Sequence, residues 1–218
     1  MPKRFDFLVF DWDGTLMDSA EAIVEALQNA CCDLDLPVPT SDGARYIIGM
    51  SLHDALAHIL PGLDPSEHPR VAERYRHHFL VRDRETRLFP GAAEAIRELH
   101  GAGFTLGIAT GKSRRGLNRA LEATGLSAYF HATRCADEGY CKPHPGMLTA
   151  LMAQVGAQAD RTLMIGDTSH DMAMARDAGV ARVGVGYGAH VKAALVEYGP
   201  LVCVDALSEL RTWLMTHA

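Results

Sequence analysis

The chain has 218 residues, a length that suits one substantial domain with a smaller insertion and is short for two full-sized domains. Hydrophobic residues make up 48% of it and charged residues 22%, a balance that excludes disordered, collagen-like and coiled-coil proteins. The formal net charge is −6, and acidic and basic residues are mixed along the chain. We therefore expect no nucleic-acid partner, because such proteins concentrate basic residues on one surface.

Membrane spans and targeting signals are not expected either. No apolar run approaches the roughly 20 residues that cross a bilayer. Asp6 and Asp11 interrupt the apolar stretch after the basic N-terminus, which argues against a signal peptide. The cysteines are odd in number and lack metal-ligand spacing, which indicates reduced thiols in a cytoplasmic protein. They are Cys31, Cys32, Cys135, Cys141 and Cys203.

Five short apolar runs predict buried strands. Runs this short suit strands that are covered on both faces, as in a parallel sheet. They span Phe7–Phe10, 104–109, 162–165, 182–185 and 201–204. Helical patterns alternate with them, at 92–99, from about 117 to a stop at Gly125, and at 172–178. This alternation predicts βαβ units and a doubly wound sheet.

The stretch from about residue 19 to residue 87 breaks the alternation. Residues 20–32, 52–60 and 66–83 show the periodicity of amphipathic helices, and prolines separate them. The stretch has no convincing buried strand. We therefore predict a helical insertion between the first strand and the chain that returns to the sheet.

Candidate catalytic residues follow three of the predicted strands. Ligands bind beyond the carboxyl ends of the strands in an open α/β sheet, so these residues should meet at one edge. The first strand is followed by Asp11 and Asp13, the second by Thr110 and Gly111, and the third by Asp167 and Asp171.

The chemistry of this set indicates phosphoryl transfer. Clustered carboxylates repel one another and need a cation, and all-oxygen ligands favour a hard one such as Mg²⁺. Lys142, one helix before the third strand, would join the metal in binding a phosphoryl group. Asp11 and Asp13 are two residues apart, so in extended backbone their side chains share a face. One could attack phosphorus while the other donates a proton to the leaving oxygen.

Residues 11–15, with the sequence DWDGT, resemble the DxDGT signature of the haloacid dehalogenase superfamily of phosphatases. Thr110, Lys142 and Asp167 with Asp171 match the other three motifs of that superfamily, in the same order. The helical insertion lies where the superfamily carries its helical cap. The match covers the whole chain, and residues 10–19, the Gly49 region, residues 110–113 and Lys142 with Pro143 look most like the phosphoglycolate-phosphatase-like branch.

This resemblance implies a fold and a division of the chain. The fold would be α/β, with a Rossmann-like parallel sheet core in three α/β/α layers and an inserted α-helical cap domain. Residues 1–17 and 88–218 would form the catalytic core, and residues 18–87 would form the cap.

The resemblance assigns the chemistry to the first motif. Asp11 would be the nucleophile, forming a phospho-aspartate, and also a Mg²⁺ ligand. Asp13 would be the general acid and base and would give its backbone carbonyl to the metal. True dehalogenases of the superfamily lack a carboxylate at the position of Asp13, so the resemblance favours phosphoryl transfer over dehalogenation.

The remaining motifs would hold the phosphoryl group and the metal. By the resemblance, Thr110, the backbone amide of Gly111 and Lys142 would bind the phosphoryl oxygens. Asp167 would bind Mg²⁺ directly. Asp171 would bind it through water or would orient Lys142.

Several of these residues also have structural interpretations. Asp167 and Asp171 could cap the helix that starts near Ser169, and the pair Asp18–Ser19 could cap the first helix of the insertion. Lys112 could be solvated, or it could contact phosphate or substrate and so contribute to specificity.

Residues of the insertion are candidates for recognising the leaving group. Arg45 could pair with a substrate carboxylate, such as that of phosphoglycolate, or could form a surface ion pair. The loop around Gly49 is a second candidate. Trp12 should pack in the core, since strand alternation points it away from the two aspartates, and His170 could approach the site.

The sequence thus predicts a cytoplasmic, Mg²⁺-dependent hydrolase of small phosphorylated metabolites such as phosphoglycolate. A pyrophosphatase and a mutase like β-phosphoglucomutase share the same motifs and stay open as alternatives. A degenerate phosphate-binding partner module is the non-enzymatic alternative. No nucleic-acid or membrane partner is expected, and the sequence leaves the oligomeric state open.

Overall fold

The computed structural model describes residues 3–83 and 85–218. Within them, six strands form one sheet in the order β3-β2-β1-β4-β5-β6, and every neighbouring pair is parallel. The strands are β1 (Phe7–Phe10), β2 (Thr105–Thr110), β3 (Ala132–Cys135), β4 (Thr162–Gly166), β5 (Ala181–Val185) and β6 (Cys203–Val204). The order places the carboxyl ends of β1, β2 and β4 side by side, as the motif spacing predicts.

Four of the five predicted strands match their observed counterparts closely, and the fifth shrinks to two residues, Cys203–Val204. The apolar-run criterion misses β3. Its sequence, ATRC, contains two half-exposed residues, Thr133 and Arg134. β3 lies at an edge of the sheet, where one side of the strand needs no apolar cover.

The described residues form ten α-helices. They are α1 (Ala20–Asp33), α2 (Ser41–Tyr46), α3 (Leu52–Ile59), α4 (His68–Asp83), α5 (Ala92–Gly101), α6 (Arg114–Thr124), α7 (Gly146–Val155), α8 (Ser169–Asp177), α9 (Lys192–Val196) and α10 (Leu207–His217). The helices predicted from periodicity are all present. The short α2 and the last two helices, α9 and α10, were not predicted. None of these helices has the length and apolar character of a membrane span.

The side chains of β1 alternate between two apolar clusters, one on each face of the sheet. Leu8 and Phe10 pack with residues of α5, α6 and α10, whereas Phe7 and Val9 pack with residues of α7 and α8. Because helices cover both faces, a strand can be apolar throughout. The arrangement confirms the three-layer α/β/α fold.

Helices α1–α4 form the helical insertion and bury a separate apolar cluster. That cluster includes Val24, Leu27, Leu56, Val71 and Phe79. The two chain segments that join the insertion to the sheet run side by side. Met17 and Leu88 form an antiparallel bridge, and the amide of Asp18 donates to the carbonyl of Arg87 at 2.9 Å.

Candidate active site

Asp11 directly follows β1 and is completely buried. Its backbone amide donates to the carbonyl of Ile165 at 2.9 Å, which extends the β1–β4 pairing by one residue. The Oδ1 atom accepts from the amide of Trp12 at 2.6 Å and lies 2.7 Å from Lys142 Nζ. The Oδ2 atom is buried without a hydrogen-bond partner among the described residues. Trp12 packs in the sheet core, as strand alternation predicts.

The turn after Asp11 requires a glycine at position 14. Gly14 has a φ of 82°, and a Cβ built there would lie 2.1 Å from Asp167 Oδ2. Only glycine combines this left-handed backbone with so close an approach. The close contact brings the loop after β1 against the loop after β4, which the chain separates by more than 150 residues.

Asp13 faces a different set of partners from Asp11. Its Oδ1 atom accepts from Ser19 Oγ at 2.6 Å and lies 2.9 Å from Lys112 Nζ. Ser19 does occupy the position before α1, but its hydroxyl makes no capping hydrogen bond there. The expected cap is therefore wrong, because the hydroxyl is directed to Asp13. The solvated interpretation of Lys112 is also wrong, since its side chain is only 9% exposed.

Lys142 links two carboxylates in the interior. Its Nζ atom lies 2.7 Å from Asp11 Oδ1 and 2.7 Å from Asp171 Oδ1. Burial alone would lower the pKa of Lys142, but the charges of the two carboxylates outweigh it and raise the pKa above the ordinary value. Lys142 is therefore a fixed positive charge at the sheet edge. We refer to Asp11, Lys142, Asp167 and Asp171 as the edge cluster.

Asp167 and Asp171 lie after β4 and are both fully buried. Asp167 accepts from Thr15 Oγ1 and from the amide of Ala189, each at 2.7 Å. Asp171 forms a capping box with Thr168 at the start of α8, so the helix-cap interpretation is correct for Asp171. The Oδ1 atom of Asp171 pairs with Lys142, so the same carboxylate caps α8 and binds the lysine.

The electrostatics of the edge cluster favour an added cation. Burial raises the pKa of Asp167 to about 7, with a further contribution from the nearby charge of Asp171. Burial also raises the pKa of Asp11 well above its ordinary value, although Lys142 opposes the shift. One lysine thus does not compensate three buried carboxylates.

A divalent metal ion fits this cluster. Carboxylate oxygens of Asp11, Asp167 and Asp171 lie within 4.8 Å of one another. The unpartnered Oδ2 of Asp11 is a free ligand atom, and an all-oxygen set suits a hard cation. The Asp13 carboxylate is outside this group, since Ser19 and Lys112 hold it.

Thr110 and Gly111 form the end of β2 beside the edge cluster. Thr110 is buried, and its hydroxyl oxygen accepts from the amide of Lys112 at 3.2 Å. A Cβ on Gly111 would lie 2.6 Å from the carbonyl oxygen of Met50 and 2.8 Å from that of Gly49. The loop of the insertion therefore lies directly on the sheet edge, and Gly111 must be a glycine for it to do so.

Arg45 on α2 and His170 on α8 are the remaining candidates. Arg45 forms an ion pair with Glu21 at 2.5 Å, as expected if its role is a surface ion pair and not the recognition of a substrate carboxylate. His170 does approach the insertion, since its Nε2 atom lies 2.7 Å from the carbonyl oxygen of Tyr46. His190 Nε2 contacts the same oxygen at 3.0 Å. The two imidazoles therefore hold the end of α2 against the sheet domain.

A cavity of about 690 Å³ separates the insertion from the sheet edge. Asp13, Gly49, Gly111 and Lys112 line it, whereas Arg45 does not. Sequence reasoning missed several of its lining residues, among them Tyr75, Arg76, Phe79 and Arg115. Part of the signal was present as the spacing of three between Arg76 and Phe79, which places this pair on one face of α4.

Comparisons with known proteins agree with this geometry. The family model described as haloacid dehalogenase-like hydrolase matches residues 8–185. The chain is 38% identical to the "Probable phosphatase IndB" of Dickeya dadantii, over 93% of this chain and 90% of that protein. It is 32% identical to a phosphoglycolate phosphatase of Mesorhizobium japonicum, over 83% of this chain and 82% of that protein. A hydrolase structure from Pseudomonas syringae superposes with a TM-score of 0.88 at 26% identity, covering 98% of this chain and 100% of that one.

The family match spans most of the chain, and the two relatives align along nearly their whole length. The superposition on the Pseudomonas syringae hydrolase likewise extends over 98% of this chain. The chain therefore belongs to the haloacid dehalogenase-like hydrolases, as a phosphatase with a helical insertion whose relatives include phosphoglycolate phosphatases.

Proposed function

We propose that the chain hydrolyses phosphomonoesters of small metabolites, of which phosphoglycolate is the reference substrate, by transferring the phosphoryl group to Asp11. The observation that carries this proposal is the state of Asp11. Its Oδ1 atom is held by Lys142 Nζ and by the amide of Trp12, while its Oδ2 atom is buried without a partner. A carboxylate fixed on one side and free on the other suits nucleophilic attack.

The phosphoryl oxygens would be held by groups beside Asp11. We assign this role to the Thr110 hydroxyl, the Gly111 amide and the Lys142 ammonium. Preorganised donors of this kind stabilise the charge that develops as the bond to phosphorus breaks, because they need no rearrangement during the reaction. The buried bonds of Lys142 to Asp11 and Asp171 support such a fixed position.

Asp13 would move the proton. In the first step it would donate to the leaving oxygen, and in the second it would take a proton from the water that attacks phospho-Asp11. Its Oδ1 atom is occupied by Ser19 and Lys112. The carboxylate lines the cavity, where a leaving group would lie.

We propose Mg²⁺ as the cation of the edge cluster. Asp11, Asp167 and the backbone carbonyl of Asp13 would hold it, and Asp171 would bind it through water or keep Lys142 in place. When bound, the ion would offset the carboxylate charge and polarise the phosphoryl group.

Residues 18–87 would act as a cap over residues 1–17 and 88–218. Asp11 is completely buried, so a substrate phosphate needs a movement of the surrounding chain to reach it, and we assign that movement to the insertion. The paired segments at Met17–Asp18 and Arg87–Leu88 mark where such a movement would begin. The unpaired state of all five cysteines supports a cytoplasmic setting for the reaction.

Phosphate release from a substrate panel tests the proposal. The panel contains phosphoglycolate, p-nitrophenyl phosphate, inorganic pyrophosphate and β-glucose 1-phosphate, each with the wild-type chain and with Asp11→Asn. We expect Mg²⁺-dependent phosphate release from the monoesters, lost in Asp11→Asn. Faster release from pyrophosphate would make the chain a pyrophosphatase, and isomerisation of the sugar phosphate without release would make it a mutase. Equal and negligible turnover by both proteins would leave a binding module.

A further inference from the structure

We infer that the natural substrate is larger than phosphoglycolate and carries a second anionic group, which Arg76 and Arg115 bind at the outer end of the cavity. This inference rests on the proposed phosphatase function and specifies its substrate class. The substrate would be a phosphomonoester with an apolar, ring-sized body between its phosphate and its second anion.

The size of the cavity supports the larger body. Its volume of about 690 Å³ lies within the roughly 300–1,000 Å³ typical of pockets for drug-sized ligands. The leaving part of phosphoglycolate has only two carbons. Such a molecule would leave most of the cavity to water, and the apolar wall of the cavity would contribute little to its binding.

The wall on the side of the insertion is apolar and partly aromatic. Ile23, Leu27, Tyr75 and Phe79 all line the cavity there. The rings of Tyr75 and Phe79 stack with centroids 5.7 Å apart and planes 17° apart. An apolar wall with two aromatic side chains suits a ring-sized body, since aromatic groups pair favourably when offset or edge to face.

The inner end of the cavity is fixed by one contact between the insertion and the sheet domain. Lys112 Nζ lies 4.8 Å from the centroid of the Phe79 ring, and it also pairs with Asp13. The side chains of Lys112 and Phe79 are both at least nine-tenths buried. Asp13 and Lys112 therefore mark the end at which the phosphate ester is cleaved.

Two arginines of the cavity lie close in the chain to this contact. Arg76 precedes Phe79 by three residues on α4, about 5 Å along that helix, and Arg115 follows Lys112 by three residues in the first turn of α6. Both line the cavity, from opposite walls, and both are exposed. They define the outer end.

The charges at the outer end are unbalanced. Arg76 and Arg115 make no hydrogen bond or ion pair with another residue in the described part of the chain. Asp137 and Arg119 also line the cavity, so arginines outnumber carboxylates at this part of the lining. Two guanidinium groups facing one space repel each other, and an anion between them would be bound by charge-assisted hydrogen bonds.

Matched benzyl substrates test the inference. The pair is 4-carboxybenzyl phosphate and benzyl phosphate, which share the apolar body and differ in the second anion. We expect kcat/KM to be at least tenfold higher for the carboxylated member, and higher for both than for phosphoglycolate. Arg76→Gln and Arg115→Gln should each reduce the ratio of the two benzyl substrates several-fold. Arg97→Gln, at an exposed arginine of α5 outside the cavity, should leave the ratio unchanged.

Charge reversal gives the opposite preference. The double variant Arg76→Glu with Arg115→Glu should favour 4-(aminomethyl)benzyl phosphate over 4-carboxybenzyl phosphate. A ratio that stays the same in all arginine variants would overturn the second-anion site. A preference of the wild-type chain for phosphoglycolate over both benzyl substrates would overturn the larger body.

A binding measurement separates this inference from the proposed function. Calorimetry with the Asp11→Asn variant would compare 4-carboxybenzylphosphonate with benzylphosphonate, neither of which can be hydrolysed. We expect tighter binding of the carboxylated compound, and loss of that difference on adding Arg76→Gln. Equal binding contradicts the inference whatever the catalytic result. Wild-type turnover no better than that of Asp11→Asn contradicts the proposed function alone.

Discussion

The edge cluster and the cavity wall of the insertion differ in how firmly their charged groups are held. In the edge cluster, Lys142 and its two carboxylate partners are buried and lie 2.7 Å apart. On the wall of the insertion, Arg76 is exposed and has no partner among the described residues. Fixed groups suit a bond-breaking step that is the same for every phosphomonoester. Exposed groups that gain partners only from a ligand suit discrimination between leaving groups.

This comparison separates the reaction from its selectivity. Substitutions in the edge cluster should lower the turnover of all substrates. Substitutions at Asp13 and Lys112 should depend on the leaving group, and substitutions in the wall should affect particular substrates.

Replacement of Asp11 by Asn should have the largest effect. The amide keeps the shape of the side chain but is a poor nucleophile, so we expect phosphate release to fall by at least about 10⁴-fold on every substrate. Initial-rate assays on purified protein measure the loss. Circular dichroism and thermal unfolding serve as controls for the fold. Substantial residual activity would contradict a covalent phospho-Asp11.

Asp13→Asn should distinguish leaving groups. An alkoxide needs a proton more than a nitrophenolate does, so formation of phospho-Asp11 should slow by about 10²–10⁴-fold for alkyl phosphates and less for p-nitrophenyl phosphate. Rapid-quench kinetics should show a burst with the aryl substrate, followed by slow hydrolysis. The matched control is Ser19→Ala, which removes only the hydroxyl that donates to Asp13 and should cost less. Equal slowing of both substrates would contradict an acid role for Asp13.

The metal requirement should depend on Asp167. We expect excess chelator to abolish activity and Mg²⁺ to restore it, while Ca²⁺ restores it poorly because its coordination shell is larger and looser. Asp167→Asn should raise the Mg²⁺ concentration needed for half-maximal activity. Thermal unfolding provides a second readout, since Mg²⁺ should stabilise the wild-type chain and not the variant. Full activity in excess chelator would exclude the proposed site.

Lys112→Met should have an intermediate effect. The variant keeps an apolar stem against Phe79 but removes the ion pair with Asp13. We expect kcat for alkyl phosphates to fall about tenfold, equivalent to ~1.4 kcal/mol, with partial recovery in Lys112→Arg. Separate measurement of kcat and KM distinguishes the two possible roles of Lys112. A rise in KM alone would make it a substrate-binding residue and not a positioning residue for Asp13.

Arg45→Gln should have the smallest effect. Its ion pair with Glu21 is largely exposed, and such pairs contribute about 0–1 kcal/mol to stability. Because Arg45 does not line the cavity, we expect unchanged kcat/KM for carboxylated and uncarboxylated substrates alike. Urea unfolding and the benzyl phosphate pair measure both quantities. A selective loss on the carboxylated substrate would return Arg45 to the role of substrate recognition.

The sequence alone determined the sheet core and the positions of the edge cluster. Strands buried on both faces must be apolar throughout, which makes β1, β2 and β4 visible as short runs. The carboxyl ends of parallel strands meet at one edge. Asp11, Thr110 and Asp167 could therefore be grouped before any distance was known. β3 escaped this reasoning because an edge strand can remain half exposed.

Only the tertiary structure decided which partners the polar side chains choose. Ser19 stands at a helix start, where a cap is the local expectation, yet its hydroxyl donates to Asp13 across the loop. Lys112 and Phe79 lie more than 30 residues apart in the chain and meet only when the insertion packs on the sheet edge. Periodicity reports which face of a helix is buried, but it carries no information about what lies opposite. The cavity and its outer arginines therefore depend on the packing of two elements that the sequence describes only separately.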